Sequence, residues 1–319
     1  MNRRFWHLLL TLGAGLAPLA GGCCPPRPPI VSVERIVGDY NANANTVPRL
    51  WARADVRLTV TDAAGLPWRY APSTALLILQ KGAAPLGPHN FVLIGKEAGQ
   101  EVFRMGNSLA DEVYYMWFAV GDRCGAIFGR TALAGAPGVE DLPIDPLGVL
   151  SLLTVNALPA DLTELPVVTL RLDESNCRKR AYVLTQIQRQ PVSGRIVGRR
   201  EIYFPWQQGQ PLRPFMVKFL DNKGQTVMVA ELDDYRPIDT EGLDDPPARP
   251  PLLATDIDIR FPLNDGRIEL TLSEMTTLEK FSPVVFEFLR WLPKCIDPRK
   301  LEPIDAAAAR RAAASGSGS

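Results

Sequence analysis

The chain has 319 residues, with 35 Lys and Arg against 35 Asp and Glu and a hydrophobic fraction of 46%. Zero formal net charge argues against nucleic acid as a partner, and the apolar content is enough to bury a sizeable core. Only His7 and His89 occur, which excludes catalysis or metal binding that needs several imidazoles.

Arg3 and Arg4 precede an apolar stretch from Phe5 to Ala20, followed by Gly21 and Gly22. This is the pattern of an export signal over residues 1–22, short for a membrane span of roughly 20 apolar residues. The run Leu19-Ala20-Gly21-Gly22-Cys23 resembles the lipobox of bacterial lipoproteins. That resemblance implies lipid on Cys23, which becomes the mature N-terminus. Each buried CH₂ of such a lipid contributes about 0.8 kcal/mol to membrane binding. Residues 23–30 then form a tether, with Pro25, Pro26, Pro28 and Pro29 as a stiff spacer. Residue 24 is Cys and not the aspartate that resembles an inner-membrane retention signal, so the outer membrane, facing the periplasm, is expected.

The domain proper is expected over residues 31–293. Val33, Ile36, Val37, Tyr40 and Ala44 stand at helical spacing behind Ser32, a candidate N-cap. From Leu50 to Thr61 the chain alternates strictly. Leu50, Ala52, Ala54, Val56, Leu58 and Val60 share one parity; Trp51, Arg53, Asp55, Arg57, Thr59 and Thr61 share the other. This predicts a long strand with one apolar face. Further strands are predicted at 74–81, 90–96, 101–105, 112–120 and 124–128. Asp145-Pro146 opens a short helix through Val155. Strands resume at 167–172, 181–189 and 195–204. The segments 214–220 and 226–232 flank the turn Asp221-Asn222-Lys223-Gly224. After an acidic, proline-rich loop over 233–251, strands at 256–261 and 267–272 flank Asn264-Asp265-Gly266. The fold class is therefore mainly β, an antiparallel sheet or barrel with few helices. Val284 to Leu292 fits a short helix or a last strand, and residues 294–319 are expected to fray as a tail.

No nucleophile elbow, metalloprotease helix, phosphate loop or dinucleotide fingerprint occurs. No catalytic residue, metal ligand or cofactor is therefore assigned, and no enzymatic activity is expected. Asp256 and Asp258 alternate with Ile257 and Ile259, the pattern of a solvated strand face. Beyond the tether, Cys124, Cys177 and Cys295 allow at most one bridge among themselves, and the sequence does not choose the pair. None sits in a CxxC. The apolar strand faces either fill each other as a core or line an open concave cavity, and alternation alone does not separate the two.

The order of elements resembles the lipoprotein carriers of the LolA/LolB superfamily. The likeness rests on an opening helix and a long strand (Trp51–Thr61), then on the run through Phe91–Gly95, Glu101–Gly106 and Tyr114–Trp117. The late hairpin Leu212–Gly224 followed by Glu231 and Tyr235 completes it, over roughly residues 31–275. The resemblance implies an incomplete antiparallel barrel whose apolar cavity, under lid helices Val33–Ala44 and Pro146–Val155, holds acyl chains. Leu50, Ala54, Val56, Phe91, Tyr115, Trp117, Phe215 and Ile259 are the residues assigned to that cavity. The expected partners are lipid acyl chains or lipoproteins, with the membrane reached through the N-terminal anchor. The alternative is a scaffold lipoprotein that binds an envelope protein through its sheet surface. The insertion at 130–166, the loop at 233–251 and the segment after Pro293 depart from the carrier pattern.

Overall fold

The computed structural model describes residues 30–61, 67–83, 88–134, 144, 146–161, 168–175, 180–189, 196–206, 212–241, 243–277 and 281–306. The expected export signal, Cys23 and the expected tether up to residue 29, and Cys177 lie outside the described residues. Helix α1 (Val33–Ala44) leads into β1 (Arg49–Thr61), β2 (Pro67–Tyr70) and β3 (Thr74–Gln80). Next come β4 (Asn90–Glu97), β5 (Gln100–Ser108), β6 (Val113–Val120) and β7 (Arg123–Arg130), then helix α2 (Pro146–Leu152). The second half contains β8 (Val168–Asp173), β9 (Ala181–Arg189), β10 (Ile196–Pro205) and β11 (Met216–Asp221). It ends with β12 (Thr226–Pro237), β13 (Leu252–Phe261) and β14 (Gly266–Thr276).

All 14 strands form one antiparallel sheet in the order β7-β6-β5-β4-β3-β1-β14-β13-β12-β11-β10-β9-β8, with β2 added beside β1. Two meanders of neighbouring hairpins thus meet at a single non-local seam. There Arg53–Thr59 of β1 lies opposite Ser273–Arg267 of β14. On its other side β1 pairs with β3 through Ala54 and with β2 from Leu58. The edge strands β7 and β8 do not pair with each other, so the curved sheet stays open, as expected of an incomplete barrel.

The predicted parity of β1 holds. Leu50, Ala52, Ala54, Val56 and Leu58 are buried on the concave face, together with Leu77, Leu79, Leu93, Ile257, Ile259 and Leu270. Helices α1 and α2 close over this face through Ile36, Val37, Tyr40, Val149, Leu150 and Leu152. Ser32 caps α1 by accepting from the Arg35 N–H. Two asparagines then fasten the helix. The Asn41 amide donates to the Leu158 carbonyl and accepts from its N–H at 2.8 and 2.7 Å. Asn43 does the same with Leu252 at 2.9 and 2.8 Å. Each side chain completes the hydrogen bonds that a neighbouring strand would otherwise supply.

The convex face differs between the two halves. On β12, β13 and β14 it is solvated and charged: Glu231, Asp258 and Glu269 stand in one cross-strand row. Arg267 pairs with Asp258 at 2.7 Å and with Glu269 at 3.1 Å, and Arg260 contacts Glu231 and Asp258. On β3 to β6 the convex face is apolar. Ile78, Val92 and Ile94 pack on Phe286, while Val113, Tyr115 and Trp117 pack on Phe288, Leu292 and Ile296.

The cover is the C-terminal segment 281–306, hereafter the strap. Its stretch Val284 to Leu292 forms two 3-10 turns, Pro283–Phe286 and Leu289–Trp291. The expectation that fraying starts at residue 294 fails for residues 294–306, because their apolar side chains have the β6–β7 face to bury. Leu301 joins the Trp117 cluster, Ile304 reaches Tyr114, and the nearly inaccessible Asp305 accepts from Arg130 at 2.5 Å. Cys295 is disulfide-bonded to Cys124 in β7, with Cα atoms 6.4 Å apart. Residues 307–319 lie outside the described residues.

Candidate functional site

Toward the β6–β7 turn the concave face is not filled. A cavity of about 430 Å³ opens there, lined by Leu58, Val60, Trp68, Phe103, Met116, Phe118, Ile127 and Ile144. Asp122, Arg123 and Cys124, at the β6–β7 turn, are the remaining lining residues. Three local features shape it. Phe118 stands opposite Gly125, whose missing Cβ would lie 3.1 Å from the ring, so the ring lies down over β7. The short strand β2 brings Trp68 across the top of β1, 6.1 Å from Phe118 and stacked on Tyr70 at 5.5 Å. The Arg123 guanidinium sits 5.7 Å from the Trp68 ring centre. Burial, and then the Glu97 carboxylate, raise the Tyr70 phenol above its usual range.

Of the eight residues assigned to a cavity from the sequence, Leu50, Ala54, Val56, Phe91 and Ile259 lie on the concave face. They are packed into the core beneath α1 and α2, and none is among the lining residues of this pocket. Tyr115 and Trp117 point the other way, under the strap, where the Tyr115 hydroxyl donates to the Phe286 carbonyl at 3.0 Å. Phe215 is 39% exposed and faces the convex side beside Met216 and Glu231. The assignment of these three to the concave cavity is therefore corrected. In β6 both faces are apolar, so alternation marks Met116 and Phe118 no more strongly than Tyr115 and Trp117. Trp68 was missed because β2 has four residues and begins with proline.

Two other hollows carry different chemistry. Beside α1, about 460 Å³ is bounded by Tyr40, Arg213, Tyr235, Arg249 and Pro251, and the Tyr235 hydroxyl donates to the Pro214 carbonyl at 2.6 Å. On the convex face a shallow trough of about 660 Å³ runs between Glu231, Asp258 and Glu269. Those carboxylates are engaged by Arg260 and Arg267. Among the described residues, no group of three or more His, Cys, Asp or Glu stands in a metal-binding arrangement. His89 is fully buried, and its Nδ1 accepts from the Gly82 N–H at 3.1 Å. Burial and then Lys81 hold its pKa below the usual range, so the imidazole is neutral.

No protein-family model matches the sequence, and no curated protein matches it significantly. Solved structures do match. A DUF1329 family protein from Desulfovibrio piger superposes with a TM-score of 0.50 at 11% identity, over 81% of this chain and 97% of its own. A LolA superfamily protein from Nitrosomonas europaea gives 0.44 at 15% identity, over 81% and 99%. A Vibrio parahaemolyticus domain described as an outer membrane lipoprotein-sorting protein gives 0.42 at 13%, over 76% and 90%. At 11% identity, the likeness to the Desulfovibrio piger protein is one of fold alone.

Proposed function

We propose that the protein binds a hydrocarbon chain, from a lipid or a lipidated protein, in the pocket between β1, β2 and β5–β7, and that it aids lipoprotein transfer in the cell envelope. The supporting observation is the pocket's lining. Apolar side chains from Leu58 to Ile144 form the walls, and the charged groups Asp122 and Arg123 come from one turn. Its volume of about 430 Å³ falls within the range of roughly 300–1,000 Å³ usual for small-molecule sites. Such a site gains free energy by removing methylene groups from water without offering hydrogen bonds that would select a polar ligand. The sequence resemblance to lipoprotein carriers is in line with this reading. Lipid on Cys23 would hold the domain on a membrane, by our reading the outer one, facing the periplasm. We assign no catalytic step.

The test is native mass spectrometry of residues 25–319, which retain every described element, followed by organic extraction and titration with a fluorescent fatty acid. A lipid at about one per chain, or saturable uptake abolished by Val60→Trp or Met116→Trp with an unchanged unfolding midpoint, is the expected result. A ligand-free protein that takes up no probe would overturn it. That outcome would favour the scaffold reading, for which the filled centre of the concave face at Leu50, Ala54 and Ile259 is the observation.

A further inference from the structure

We infer that the outer surface of the strap, from Leu289 to Lys300, is a second membrane contact that docks onto an anionic lipid surface. Several observations converge on this stretch. Leu289 is 62% exposed and Trp291 is 36% exposed, two of five large apolar side chains so exposed among the described residues. They flank Arg290, and exposed Lys294, Arg299 and Lys300 follow within the next nine residues. The one acid in the stretch offsets Arg299 alone. Asp297 is half-buried and engaged by Arg299 through its N–H and guanidinium at 3.1 and 3.2 Å. Arg290, Lys294 and Lys300 form no ion pair with a described carboxylate. A Trp and a Leu among exposed cations is the composition that settles at a headgroup boundary, with the indole and aliphatic chain inward and the cations on lipid phosphates.

The stretch is also held rigid, so ordering it on a membrane costs little. Phe286 and Phe288 are buried immediately before its start. The Trp291 indole N–H donates to the Val284 carbonyl at 2.7 Å, and its ring lies 4.7 Å from the Arg104 guanidinium. The Phe288 N–H donates to Asp111 at 2.9 Å. Cys295 is bonded to Cys124, and Cys124 is itself one of the residues lining the apolar pocket. The bridge therefore ties the docked strap to the β6–β7 end of the sheet, on whose other face the pocket lies. The contact itself stands whether or not the pocket takes a hydrocarbon.

The measurement is flotation of residues 25–319 with phosphatidylglycerol–phosphatidylcholine vesicles, compared with vesicles of phosphatidylcholine alone. The expected result is salt-sensitive binding to the anionic vesicles that Leu289→Ser weakens by about tenfold. Lys294→Gln should weaken it by about fivefold. Both side chains are exposed, so the unfolding midpoint should not move. Trp291 fluorescence, isolated by difference against Trp291→Phe, should shift to the blue on binding. No binding of the unaltered protein to anionic vesicles would overturn the inference, as would equal binding by Leu289→Ser, Lys294→Gln and the unaltered protein. Acyl-probe uptake is read separately, so failure here leaves the pocket reading in place.

Discussion

Replacing Cys124 and Cys295 together by alanine should cost the protein much of its stability while leaving its fold intact. The bridge spans 171 residues of sequence. In the loop-closure treatment, a cross-link over that length removes chain entropy from the unfolded ensemble worth about 5 kcal/mol at 25 °C. Measured values usually fall below this, and the strap keeps its other anchors, Phe286, Phe288, Arg104 and Asp305. An expected loss of about 3–4 kcal/mol is therefore reasonable. For a chain of this size that corresponds to a fall in Tm of about 6 °C. Thermal and urea unfolding of the double variant should match that of the unaltered protein in a reductant. Hydrogen exchange should locate the effect: amides of 284–301 exchange faster, while those of β11 to β13 keep their ranking. A double variant as stable as the oxidised protein would refute the reasoning, and so would uniform loosening of the whole sheet.

Three further outcomes follow from the packing and charges. Ala54→Trp should not be a clean block of ligand uptake. Ala54 is 1% exposed and sits between Ala75 and Leu272, so the indole overpacks the core, and calorimetry should record a loss of about 1–3 kcal/mol. Arg104→Met removes a 1%-exposed cation that pairs with Glu101 at 3.1 Å and donates to the Val285 carbonyl at 2.6 Å. Urea unfolding should show a loss of about 3–5 kcal/mol, less than additive with the cysteine double variant because both hold the strap. Burial lowers the pKa of Lys81 from 10.5 to about 8. Between those values the unfolded chain binds the extra proton, so stability should rise with pH from about 8 to 10.5. Lys81→Met should flatten that rise in pH-resolved unfolding curves.

Where only one face of an element is apolar, the sequence was enough to orient it. The alternation of β1 placed Leu50 to Leu58 inward, Ser32 marked the start of α1, and Asp221 to Gly224 marked a hairpin in which Gly224 has φ +82°. Residues 233–237 read as loop in the sequence, although β12 continues through them. There the solvated convex face and a backbone irregularity at Asp234, with φ +50°, hide the period of two. Strands β3 to β6 are buried on both sides, so alternation fades and no rule of spacing tells the concave residue from the convex one. The packing of the strap was not legible for a related reason. Its short 3-10 turns bury single aromatics on a partner surface made more than a hundred residues earlier, and only that surface reveals them as anchors.

The seam between the first and last strands also sets the order in which the protein must be completed. As the chain emerges from its N-terminus, β3 to β7 can zip onto one side of β1 from local hairpins alone. The other side of β1, a row of free amides and carbonyls over most of its 13 residues, must wait for β14 at 266–276. During that interval it is an open template for a foreign strand. That edge would need to stay covered until nearly the whole sequence has been made, and the strap, arriving last, would fix the finished seam.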